Sequence, residues 1–413
     1  MAASGRLFER TYAPDPVCTP CRGSLLTGCY PHEHGNVANH MRLPDQPTVA
    51  SELRAAGYAT GYVGKWHLDG EAYPGYIPPE RRQGFDFWRG FNRGHEHLKG
   101  HPHPNPDGSV DWEDGYQPAV QTDLFREFVA DHCDGDADRP FFGLLSWGPP
   151  HTPLEAPEEY SAMYDPEELD LRENVSAEMD TPELRADLAE YYALVTSLDD
   201  QMERLLDALD EQGIAEETLV VFTSDHGEML GSHGRQRKNY PHEESVHVPL
   251  IARQPGTVPA GERVEELVSF VDLMPTVLSW CDVDVPGRVQ GEDIGPLLRG
   301  ADATPHPEGV YIQGQVPYDE TWRAIRTEDA MLAIDRGLGT QFLFDTDADP
   351  SQMENLAGRD DAAGREEDLR ETLVEMLYRY DDRDFTAVET SQRSNVNSIL
   401  EPRGDIFDRP IGK

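Results

Sequence analysis

The stretch Cys18-Thr19-Pro20-Cys21-Arg22-Gly23-Ser24-Leu25-Leu26-Thr27-Gly28 sets the reading of this 413-residue chain. Pro20 cannot continue a strand ladder and suits the first turn of a helix, so a helix is expected to start beside it. A helix start offers free backbone N–H groups and a positive dipole end, which favour an anion. Arg22, one turn along from Cys18, adds a forked cation that matches a tetrahedral oxyanion. Ser24 to Thr27 continue the helix and Gly28 can end it. A nucleophile-sized side chain at such a helix start, with an Arg turned toward it, is a site for handling sulfate or phosphate esters. The same residues also read as a redox or metal Cys18–Cys21 pair, although the chain has no second Cys pair to go with it.

The run Cys18-x-Pro20-x-Arg22-x-x-Leu25-Leu26-Thr27-Gly28 resembles the signature of the type I sulfatases, a branch of the alkaline phosphatase superfamily. The resemblance implies that a maturation enzyme oxidises Cys18 to formylglycine, with Pro20 and Arg22 belonging to the maturation signal. Cys21 departs from the family pattern, which has Ser or Ala there.

Acidic residues number 78 and basic ones 35, a net charge of −43 spread along the whole chain. That excess argues against nucleic acid or an anionic membrane as a partner. It points instead to a high-salt, halophilic setting, where screening makes a self-repelling surface tolerable. Five cysteines, at 18, 21, 29, 133 and 281, form no disulfide scaffold. No apolar run approaches a membrane span or a signal-peptide core, so the expected location is cytoplasmic. The sulfatases carry, ahead of the segment where this chain starts, a strand bearing paired Asp metal ligands. The resemblance therefore implies that the N-terminal strand is missing here, and with it half of a cation site.

Outward from the opening stretch, Met1 to Tyr12 reads as a helix tail, a Gly stop and a strand. Thr48 to Gly57 is an amphipathic helix, and Tyr58 to Gly64 is a strand delivering Lys65-Trp66-His67 at its C-terminal end. Residues 70 to 120 form a long loop rich in Gly, Pro and His. Thr122 to Asp131 reads as a helix, Phe141 to Ser146 as a buried strand, Pro182 to Gly213 as a long helix and Thr218 to Thr223 as a strand. Asp272 reads as a structural cap on the helix that begins beside it. Alternating strands and helices imply an α/β domain over 1–303, a large mixed sheet with helices on both faces. From 304 to 413 short strands with tight turns, one helix (Asp368 to Tyr380) and a polar tail after Arg383 imply a smaller antiparallel unit.

By the resemblance, Cys18 as formylglycine hydrate is the nucleophile, Lys65 holds it with a sulfate oxygen, and His67 takes its proton. His151, in Pro149-Pro150-His151-Thr152-Pro153, matches the leaving-group acid. Lys238 matches the Lys that contacts sulfate, with Arg235 and Arg237 competing for the place. Asp225 and His226 match the second half of a divalent-metal site completed by Cys18, with Ca²⁺ expected first and Mg²⁺ second. Family members more often have Asn in the second place, so the nitrogen of His226 leaves the metal's identity open. His95, His97, His101 and His103 read as a substrate-recognition or solvated loop, or as a transition-metal site. The substrate implied is a small-molecule or glycan sulfate ester. Phosphonate or phosphate ester hydrolysis, and an inactive truncated homologue that binds sulfated ligands, are the alternative readings.

Overall fold

A computed structural model describes residues 1–135, 139–314, 321–382 and 385. Apart from Phe385, the tail expected beyond Arg383 lies outside these residues.

Strands β2 (Ala59–Lys65), β3 (Phe87–Phe91) and β6 (Phe141–Ser146) form a parallel sheet in the order β3-β2-β6. Alternation sends its side chains to two faces. Tyr62 packs with Leu53, Met274 and Leu278 on one side. Val63 packs on the other with Val120 and Leu124 of the helix Gln117–Gly135. That helix seats closely because Gly61 and Gly143 present no side chain; a Cβ at either would lie 2.7 Å and 2.5 Å from the Phe128 and Phe125 rings.

A second, mixed sheet contains β1 (Arg6–Tyr12), β7 (Val220–Thr223), β8 (His247–Arg253), β9 (Glu262–Val264) and β10 (Val268–Ser269). β1 runs antiparallel to β8 and parallel to β9 and β10, and β7 closes the row beside β8. Among the described residues β6 pairs only with β2 and β7 only with β8. The large sheet is thus in two parts, with unpaired edges of β6 and β7 facing a cavity of about 1600 Å³. Residues of both strands are correspondingly half-buried where inner strands would be sealed.

Four antiparallel strands come next, β11 (Val310–Gly314), β12 (Trp322–Arg326), β13 (Ala330–Asp335) and β14 (Thr340–Asp345). One face packs Tyr311, Ile325 and Leu332 on Leu373, Met376 and Leu377 of the helix Ala363–Arg379. The other packs Ile312, Trp322 and Met331 on Tyr12, Val246 and Leu267 of the main body. A small pair, β4 (His101–Pro104) and β5 (Val110–Glu113), sits within the long loop.

Several expected elements extend or shift. The helix read over Thr122–Asp131 runs from Gln117 to Gly135, and the long one spans Pro182–Glu211. Asp272 is not a side-chain cap for the helix Leu273–Trp280. Its carboxylate turns back instead, accepting from the backbone N–H groups of Ser269 and Glu292 at 2.8 Å each and pairing with buried His306 at 2.7 Å.

Candidate active site

The helix over Cys18–Thr27 starts after Val17, whose backbone is extended (φ −137°, ψ 136°), and ends at Gly28 in the left-handed region (φ 63°). Cys18 is therefore the first helical residue, nearly sealed at 2% exposure. Around its sulfur stand His226 Nε2 at 3.2 Å, Lys238 Nζ at 3.4 Å and Lys65 Nζ at 3.8 Å. Lys65 is aimed by close contact of β2 with β6. Gly64 has φ 105°, and a Cβ there would lie 2.1 Å from the Ser146 carbonyl oxygen.

Arg22 does not turn to open solvent. Its Nε donates to Asp225 Oδ2 at 3.0 Å, and its Nη1 donates to the Lys65 carbonyl at 2.8 Å and Ser146 Oγ at 2.7 Å. One guanidinium thus ties the Cys18 helix to the C-terminal ends of β2 and β6 and to the residue just beyond β7. No sequence motif singles out Ser146, though its place at a strand's C-terminal end is a signal for it.

His67 has a left-handed backbone (φ 57°), and its carbonyl accepts from Thr19 Oγ1 at 2.9 Å, which locks the loop to the Cys18 helix. His40, likewise unmarked by any motif, lies against it with Nδ1 3.4 Å from His67 Nε2. Lys238 is flanked by two left-handed residues, Arg237 (φ 69°) and Asn239 (φ 89°). These kinks carry Lys238 to the sulfur, while Arg237 is exposed and Arg235 stacks over Tyr240 at 4.2 Å.

His151 donates from Nδ1 to its neighbour's carbonyl, Thr152 O, at 2.7 Å, which leaves Nε2 to face Cys18. The His-rich loop is not solvated. His97 and His101 are buried, His95 is half-buried, and His103 pairs with Glu113 at 3.2 Å. Nor do these histidines form a metal cluster among the described residues.

Burial pushes the Cys18 thiol up, but Lys65, Lys238 and His226 outweigh it and hold the thiol well below its ordinary value. Burial brings Lys65 down to about 8 against the opposing pull of Cys18. Burial likewise brings His67 down to about 4. Burial would raise Asp225, yet His226 and Arg22 bring it to about 2. The site is a pocket of positive charge around one sulfur, fitted to an anion.

Cys18, Asp225 and His226 also bring ligand atoms within 4.8 Å of one another. His226 Nδ1 donates to Gly227 O at 2.8 Å, so once Nε2 gives up its proton its lone pair points to Cys18 and Asp225, the tautomer a metal ligand needs. The three residues fit a divalent cation. As one carboxylate, one imidazole and one sulfur they supply few of the oxygens that Ca²⁺ takes.

A sulfatase family model matches residues 1–283, and a second, described as N-sulphoglucosamine sulphohydrolase, C-terminal, matches 231–379. The chain belongs to the sulfatase family. It is 33% identical over 392 residues to the ulvan-active sulfatase of Formosa agariphila, covering 92% of this chain and 76% of that one. It is 31% identical to an endo-4-O-sulfatase of Bacteroides thetaiotaomicron, covering 88% and 79%. A solved Bacteroides thetaiotaomicron structure, titled for metabolism of multiple glycosaminoglycans, superposes with a TM-score of 0.85 at 28% identity, covering 95% and 90%. The phosphonate monoester hydrolase of Silicibacter pomeroyi superposes at 0.75 with 25% identity, covering 92% and 89%. The fold is that of the sulfatases, and the chain is a sulfuric ester hydrolase by family.

Proposed function

We propose that the protein hydrolyses a sulfate monoester of a glycan or small molecule through a formylglycine made from Cys18. The observation that carries this reading is the convergence of Lys65, Lys238 and His226 on the Cys18 sulfur, with His151 facing it from the loop beyond β6.

As a hydrated aldehyde, residue 18 supplies one hydroxyl to attack sulfur and a second whose deprotonation re-forms the carbonyl and releases sulfate, a step a thiol cannot perform. Lys65 and Lys238 neutralise the sulfuryl oxygens. His67, neutral at physiological pH, accepts the proton of the hydroxyl group, and His151 Nε2 gives one to the leaving oxygen as the ester bond breaks. Arg22 keeps Asp225 ionised and in place.

A divalent cation held by Asp225, His226 and the residue-18 oxygen would add positive charge beside the sulfuryl group. The cavity along the open edges of β6 and β7 leaves room for the further oxygen donors that Ca²⁺ or Mg²⁺ prefers. The named activities of the relatives, an ulvan-active sulfatase and an endo-4-O-sulfatase, favour a glycan substrate. The likeness to a phosphonate monoester hydrolase supports a second reading, phosphonate ester hydrolysis on the same residues. Turnover of 4-nitrophenyl sulfate against a phenyl phosphonate monoester, by wild type and Cys18→Ala, separates the two. Sulfatase activity lost with Cys18 supports the proposal, and a preference for the phosphonate contradicts it.

A further inference from the structure

We propose that His95 is a positioning residue for leaving-group protonation, holding His151 by ring stacking and Lys65 by a hydrogen bond. This rests on the sulfatase reading above.

The imidazoles of His95 and His151 are stacked, with centroids 3.8 Å apart and planes 2° from parallel. The other restraints on His151 act at its backbone and at one ring nitrogen. His97 Nε2 donates to its carbonyl at 2.8 Å, and its own Nδ1 is spent on Thr152 O. The Nδ1 bond holds the ring at one edge, and the stack holds the same plane from its face, so the direction of Nε2 depends on both. On its other side His95 Nε2 accepts from Lys65 Nζ at 3.4 Å, and that same ammonium lies 3.8 Å from Cys18.

His95 therefore bridges the acid and the lysine without facing the sulfur. Burial first, then Lys65 and His151, keep it neutral, as an acceptor from Lys65 must be. With Nε2 accepting, the proton sits on Nδ1, which is buried and has no partner among the described residues. A packing role alone would be filled more cheaply by Phe, because an unpaired buried N–H carries a desolvation cost. The imidazole supplies two things at once, a flat face for His151 and a lone pair for Lys65. It exchanges no proton in the reaction.

The test is a series of substituted phenyl sulfates of rising leaving-group pKa, assayed with wild type, His95→Gln and His95→Phe. Good leaving groups depart without a proton and poor ones need it, so a displaced acid shows as a loss that grows along the series. His95→Gln keeps an acceptor but no stack. Its kcat should fall only about threefold for 4-nitrophenyl sulfate and about tenfold to a hundredfold for the poorest leaving group. His95→Phe keeps the stack and loses the acceptor; it should return most of the shallow leaving-group dependence of wild type and raise KM through a loosened Lys65. A loss that is uniform along the series, or no loss, in soluble, folded His95→Gln, or a loss in soluble, folded His95→Phe that grows as steeply as in His95→Gln, overturns the inference alone. A mature wild type inactive on every ester in the series overturns the sulfatase reading, and this inference with it.

Discussion

Arg22 Nε donates to Asp225 Oδ2 at 3.0 Å, joining the helix that carries Cys18 to the end of β7 at the mouth of the cavity between the two sheet parts. Both side chains are largely buried, at 14% and 19% exposure, so neither charge is left to water. Arg22→Met would strand the Asp225 carboxylate and unbind Ser146 and the Lys65 carbonyl. The expected cost is about 3 kcal/mol of stability with complete loss of turnover. Arg22→Lys keeps the charge but not the fork, and should lose turnover with a smaller stability cost. Urea unfolding of the three proteins checks this.

Lys65 carries a pH prediction. Its folded value of about 8 lies below the ordinary 10.5, so its ammonium is a cost to the folded state at neutral pH. The cost is relieved as pH rises from about 8 to about 10.5, where the unfolded chain still binds the proton. Relative to Lys65→Met, wild type should gain on the order of 3 kcal/mol across that window, and nothing below it. Paired unfolding curves at successive pH values test it. The unmodified protein offers a companion measurement: Lys238→Met should shift the ultraviolet thiolate signal of Cys18 to higher pH.

The legible parts of this site were those set by local rules. A Pro in the first turn and a Gly stop mark the Cys18 helix. Apolar runs ending in polar residues mark β2, β6 and β7, and hence Lys65 and Asp225 at their C-terminal ends. A linear reading could not supply the company each residue keeps. His95 stacks on His151 only because the loop after β3 folds back over Trp147–His151. Lys238, rather than Arg237, reaches Cys18 because of two left-handed residues, and of the two only Asn239 is a residue type that favours that conformation. Asp272 reads as a cap for the helix beginning at Leu273, yet a buried His306 34 positions away claims the carboxylate.

Removing divalent ions should abolish turnover. The nitrogen of His226 makes the metal preference of this chain testable. In wild type dialysed against a chelator, Mn²⁺ or Zn²⁺ should restore activity alongside Ca²⁺. His226→Asn, which exchanges nitrogen for an amide oxygen, should shift the preference toward Ca²⁺ by about tenfold or more in half-saturating concentration. An unchanged metal profile would place the cation elsewhere.

The net charge of −43 predicts that the folded state gains from screening. The melting temperature should rise steadily from low salt to molar KCl, as the Debye length falls from about 30 Å to about 3 Å. A midpoint independent of salt would remove the case for a high-salt setting.

The central claim concerns the chemical form of residue 18. Mass spectrometry of the tryptic peptide Thr11–Arg22, from protein made together with a formylglycine-generating enzyme, reads it directly. The account predicts an aldehyde at position 18, trapped by a hydrazide probe, in the fraction that turns over sulfate esters. An intact Cys18 thiol in protein that hydrolyses them at full rate would contradict it.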